Sequence, residues 1–124
     1  MDDADDNTPD NRLTDQPDNH SARNSARLEH FIAMLSDDDE VSRWKAAEAL
    51  GRIGDPAAVD ELIGALWDDN ANVRMKAAWA LGQIGDRRAY APLKRLYRME
   101  TERTKEIIEE ALERIRRGIA GGER

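Results

Sequence analysis

A chain of 124 residues is the size of one domain, and its net charge of −7 argues against the broad cationic face that nucleic-acid phosphates require. It has no cysteine, which excludes a disulfide framework and thiol chemistry. No window approaches the roughly 18 apolar residues that a membrane-spanning helix needs, and the start, MDDADD, lacks the apolar core of a secretory signal, so a cytoplasmic location is expected. The basic residues are 15 Arg and only 4 Lys, and the acids are rich in Asp. That bias fits a hydrated acidic surface that stays soluble at high salt, so a halophilic source is expected.

Residues 1–25 are Asp, Asn, Thr, Pro, Ser and Gln, with Leu13 isolated among them. Seven Asp against Arg12 and Arg23 give this stretch five of the seven net negative charges, and the rest of the chain is nearly balanced. Such a segment cannot bury enough apolar surface to offset its ordering entropy, so it reads as a disordered acidic tail. Order is expected from Ala26. Leu28, Phe31, Ile32 and Leu35 follow i, i+3, i+4, i+7 spacing, one face of a helix. The run Ser36-Asp37-Asp38-Asp39-Glu40 suits helix capping. It lacks the alternating acids, glycine and distal Glu of a calcium loop.

Two stretches then repeat. Ser42–Asp55 reads SRWKAAEALGRIGD, and Val73–Asp86 reads VRMKAAWALGQIGD, at an offset of 31 residues. A fixed period of that length marks a stacked array of helix pairs. The first pair is expected as helix A over Val41–Ile53, buried through Ala46, Ala49, Leu50 and Ile53, and helix B over Pro56–Trp67, buried through Val59, Leu62, Ile63 and Leu66. The small Ala46-Ala47 pair lets neighbouring helices approach. Gly54 stops helix A, Asp55 caps helix B, and Pro56 sits at its first position. The second pair copies this, with Asn72–Ile84 buried through Ala77, Ala80, Leu81 and Ile84, and Arg87–Met99 through Tyr90, Leu93, Leu96 and Tyr97. A last helix over Thr104–Arg117 keeps the phase through Ile108, Ala111, Leu112 and Ile115, with Glu113 and Arg116 where the earlier copies have glycine. Charged replacements suit a solvent-facing terminal cap. Ala26–Leu35 aligns with the B helices and reads as a cap at the other end. The repeat domain is thus 26–117, and 118–124 is a frayed glycine-rich tail.

Motifs of chemistry are sparse. His20 and His30 are the only histidines, too few for a convergent metal centre or a His-based dyad. Gly51-Arg52-Ile53-Gly54 and Gly82-Gln83-Ile84-Gly85 have phosphate-clamp spacing, but they fall at helix C-termini, the wrong end for an anion, and read as repeat-turn glycines. No catalytic residue, metal or cofactor is expected.

KAAEALGRIGDPAAVDELIGAL and KAAWALGQIGDRRAYAPLKRL resemble the HEAT-like repeats of the phycobilin-lyase type over about residues 26–117. The resemblance implies an all-α, right-handed solenoid of stacked helix pairs. Two enzyme classes share the repeat: bilin lyases and isomerases, usually longer arrays that act in pairs, and deoxyhypusine hydroxylase, a di-iron enzyme with His-Glu dipeptides early in helix A. The matching positions here are Trp44-Lys45 and Met75-Lys76. They cannot hold iron, so the likeness to that enzyme is one of scaffold.

With the core stripe assigned as above, Trp44, Lys45, Glu48 and Arg52 face outward on the first A helix, and Met75, Lys76, Trp79 and Gln83 on the second. In designed libraries of similar repeats, these outward positions form the binding surface. Trp is enriched at interface hot spots, and Met adapts to varied partners. The sequence thus reads as a non-catalytic module binding a protein or peptide through this face. Padding of the surface over Lys and Arg stems is the opposing reading of the same Trp residues. The alternatives for the chain are a relative of the lyase or hydroxylase and a weakly homo-oligomerising structural module. Trp67, at the end of a B helix, is left out of the face.

Overall fold

A computed structural model describes residues 17–122, with side chains over 22–118. The expected acidic tail therefore lies outside the described residues as far as position 16. The chain divides into two compact units, residues 1–30 and 31–124. Helix α1, Pro17–Met34, starts nine residues before the expected Ala26. In the second unit Leu35 is buried, and Phe31 and Ile32 are half-buried.

The repeats follow. Helix α2 spans Glu40–Ile53, α3 Val59–Ala65, α4 Ala71–Ile84, α5 Tyr90–Tyr97 and α6 Glu102–Gly122. Asp39 caps α2: its carboxylate accepts the Ser42 N–H at 3.1 Å, while Asp37 accepts the Asp39 N–H at 3.0 Å. Asn70 does the same for α4, accepting from the Asn72 and Val73 N–H groups at 2.9 and 3.1 Å. Each A helix ends where glycine takes the left-handed conformation. Gly54 and Gly85 both have φ 77°, and each donates its N–H four residues back at 2.9 Å.

The expected B helices are shorter than the periodicity suggests. Each opens as a single 3₁₀ turn, Pro56–Ala58 and Arg87–Ala89, before the α-helix begins. Asp55 and Asp86 cap these turns by accepting the N–H two residues on, at 2.9 and 2.8 Å, and that tight geometry favours i→i+3 bonding first. The last helix is longer than expected and continues through Gly118 to Gly122.

The A helices α2, α4 and α6 stack side by side, and each B helix packs on the A helix after it, α3 on α4 and α5 on α6. The core corrects the expected stripe. Ala46, Ala47, Leu50 and Gly51 are buried on α2, whereas Ala49 is half-buried and Ile53 is 38% exposed. On α4, Val73, Ala77, Ala78, Ala80, Leu81 and Gly82 are buried and Ile84 is half-buried. Ala58 and Ala65 join Val59, Leu62 and Leu66 in the core, while Ile63, Tyr90, Tyr97 and Leu112 are half-buried.

Gly51 and Gly82 are not turn residues. A Cβ on Gly82 would stand 2.8 Å from both Cα and Cβ of Ala111, and one on Gly51 would stand 2.9 Å from both atoms of Ala80. They are the points of closest approach between successive A helices. At the same register α6 has Glu113, bonded to Arg116 at 2.8 Å and Arg117 at 3.4 Å. Glycine gives way to charge at the helix on which no further A helix packs among the described residues.

One arginine per repeat fastens the loops. Arg43 holds both carboxylate oxygens of Asp68, at 2.8 and 3.0 Å, and donates to the Asp37 and Asp38 carbonyls. Arg74, one repeat later, holds Glu100 at 2.7 Å and donates to the Asp68 carbonyl at 2.7 Å. Each thus ties the loop before its own helix to the loop one repeat on. Burial pushes Asp68 upward, but hydrogen bonds from Arg43 and the Asn70 N–H outweigh it and leave the carboxyl below its usual range.

Candidate binding surface

The eight residues expected on an outward face are not uniformly exposed. Lys45 and Arg52 are exposed, while Trp44, Glu48, Met75, Lys76, Trp79 and Gln83 are half-buried. The reason is the seam between α2 and α4. With Ala47 and Gly51 buried, the stripe rotates relative to the expected one, and positions 44 and 48 of α2 turn toward positions 76 and 79 of α4.

Within that seam the structure joins five of the eight. The Lys76 ammonium lies over the Trp44 ring at 5.5 Å and the Trp79 ring at 5.6 Å. It also lies 3.6 Å from Glu48 Oε1, and Arg52 donates to Glu48 Oε2 at 2.8 Å. Trp79 runs back across the seam, so that a Cβ on Gly51 would come within 2.6 Å of its ring. The result is a lysine held between two indoles from successive repeats and fixed by a carboxylate that a second cation also engages. Cation–π attraction at such a site is worth about 0.5–2 kcal/mol per ring, depending on desolvation. Lys45, Met75 and Gln83 take no part in these contacts.

The electrostatics are those of a paired surface. The Arg52 hydrogen bond holds the Glu48 carboxyl below its usual range, and the charge of Lys76 adds to it. A carboxylate kept ionised and doubly engaged is poorly suited to proton transfer near neutral pH. What the cluster offers is aromatic area in a fixed orientation, flanked by the exposed cations Lys45 and Arg52. Among the described residues there is no group of three His, Cys, Asp or Glu side chains arranged to hold a metal ion, and no helix is long and apolar enough to cross a membrane.

Sequence reasoning missed a second surface. Residues 87–98, RRAYAPLKRLYR, hold five cations and no acid. Arg87, Arg88, Lys94, Arg95 and Arg98 are all exposed. Trp67, set aside in the sequence reading, is the more exposed indole at 42%, and the Arg95 guanidinium lies 5.5 Å from its ring. The signal was present as a local charge run, but acids elsewhere in the repeats cancel it in the nearly balanced charge of that region.

A family model described as HEAT repeats matches residues 28–113, well over half of the chain. No curated protein matches it significantly.

Proposed function

The chain belongs to the HEAT repeat family, and from that premise we propose that it is a non-catalytic interaction module that binds a protein or peptide across the α2–α4 seam. HEAT repeats commonly serve as protein-interaction modules. The observation that carries the reading is Lys76 clamped between Trp44 and Trp79, 5.5 and 5.6 Å from the two rings. A surface whose aromatic groups are already ordered loses less entropy on binding than one that must order them. Trp44 and Trp79 are the anchors, Met75 and Gln83 extend the contact, and Lys45, Arg52, Glu48 and Lys76 set its charge preference. The A-L-G-x-I-G-D turn supports placing the repeats in the phycobilin-lyase type. The Trp44-Lys45 and Met75-Lys76 dipeptides count against a hydroxylase-like iron site, and metal analysis of purified protein tests that point. The acidic, Arg-rich composition supports a protein working at high salt, with a protein rather than a nucleic acid as partner.

The test is affinity capture with wild type, Trp44→Ala and Trp44→Ala/Trp79→Ala in parallel, with circular dichroism confirming the fold of each. A partner held by wild type and weakened about tenfold or more by the variants supports the surface. Equal capture by all three defeats it. Sedimentation at high concentration separates this reading from a homo-oligomeric contact through the same face.

A further inference from the structure

Helix α6 is an A helix, and the position of a B helix behind it is set by register. Lys94 and Tyr97 on α5 and Arg98 just after it, with Glu109 and Leu112 on α6, line an open groove of about 190 Å³. One repeat earlier the same positions hold Ile63, Leu66, Trp67, Ala78 and Leu81. Of these, Leu66, Ala78 and Leu81 are fully buried. In the groove Glu109 is exposed, and Tyr97 and Leu112 are half-buried. Among the described residues the groove is thus the open counterpart of positions that are covered one repeat earlier.

Its chemistry differs from the buried version by charge, two cations and one carboxylate, the carboxylate being Glu109 in place of Ala78. Ile63 and Trp67 are replaced by the cations Lys94 and Arg98. Among the described residues neither forms a salt bridge, and Lys94 lies instead over the Tyr90 ring at 5.8 Å. Glu109, the lining carboxylate, is engaged: the Tyr97 hydroxyl donates to it at 2.7 Å. A third cation, Lys105, lies over the Tyr97 ring at 5.1 Å. The floor is apolar, through Leu112 and the Tyr97 ring, and the two cations Lys94 and Arg98 outnumber the single carboxylate of Glu109, so the lining is net positive.

We propose that the α5–α6 groove docks an acidic amphipathic helix of a partner protein, seated where the next B helix would lie. Its apolar stripe rests on Leu112 and the Tyr97 ring, and its carboxylates meet Lys94 and Arg98. This is helix-in-groove recognition, read through i, i+3/i+4, i+7 anchors. It uses none of the residues of the α2–α4 seam, so the two surfaces stand or fall separately.

The test selects from a displayed library of helix-forming peptides of about 18 residues, using the full chain and its Lys94→Glu/Arg98→Glu variant. Both side chains are exposed, and a thermal melt checks that the variant folds as wild type does. The expected winners carry an apolar stripe at helical spacing flanked by Glu or Asp. They bind the variant at least about tenfold more weakly, weaken to a similar degree when their own Glu become Gln, and are unaffected by Trp44→Ala. No enrichment, or equal affinity for the variant, overturns the proposal. Displacement of the selected peptides by a single-stranded oligonucleotide at matched charge also overturns it, because the face is then a general polyanion surface.

Discussion

Gly82→Ala isolates the packing argument. In an exposed helix this exchange stabilises by about 0.5–1 kcal/mol, because alanine restricts the unfolded chain and favours the helix. Here the added methyl would stand 2.8 Å from Cα and Cβ of Ala111, and one of those atoms is backbone that no rotamer change can move. Forcing a methyl into such a seam costs about 1–3 kcal/mol, so a net loss of about 1 kcal/mol is expected. In a domain of this size that lowers the melting temperature by about 4–8 °C. Gly64→Ala is the internal control: nothing lies within 4 Å of its Cβ, and Gly64 lies inside α3. It should gain the helix term and melt a few degrees higher. Thermal and urea unfolding by far-UV circular dichroism, on both variants at one salt concentration, reads the two signs directly. A Gly82→Ala protein as stable as wild type, or more so, would refute the claim that glycine sets the spacing of the A helices.

Three further outcomes follow from the contacts described. Arg74→Ala leaves Glu100, whose side chain is 6% exposed, without its partner. The expected loss is about 2 kcal/mol or more, and a double-mutant cycle with Glu100→Gln should show strong coupling. Asn70→Ala removes the acceptor for two N–H groups at the start of α4, and urea titration should show a loss of about 1 kcal/mol. Stability should fall on acidification. Glu48, Asp68 and Asp86 are held below their ordinary range, chiefly by arginine hydrogen bonds that for Asp68 overcome its burial. The unfolded chain therefore takes up their protons first. Their contribution is fully present above the ordinary carboxylate range and is lost as pH falls through the lower folded values. Urea midpoints at pH 7, 5 and 3.5 should be level between the first two and lower at the third.

Much of this fold is legible in the residues. The 31-residue offset fixes the pairing of helices, and the Asp39 cap and the Gly54 and Gly85 stops stand where their chemistry requires. The core stripe is less legible, because hydrophobic scoring favours Ile53 over Gly51. The seam instead selects for smallness: Gly51 is buried and Ile53 is 38% exposed. That rotation also changes the site. Trp44, Glu48, Arg52, Lys76 and Trp79 come together as a cluster, but across a seam rather than on an open face. Spacing along one helix cannot reveal that Lys76 lies between two rings, since one ring belongs to the neighbouring helix. The cationic run of residues 87–98 is hidden for a different reason: acids elsewhere in the repeats cancel it in the nearly balanced charge of that region.

A stack built from one repeated unit carries an inherent hazard: its last member resembles its first, so copies can join end to end without limit. Contacts of that head-to-tail kind do not close on themselves and produce fibres. The residue that would admit another A helix is glycine at the register of Gly51 and Gly82, and the chain places Glu113 there, anchored by Arg116 and Arg117. A single side chain thus removes the close approach that glycine permits at the two earlier helices.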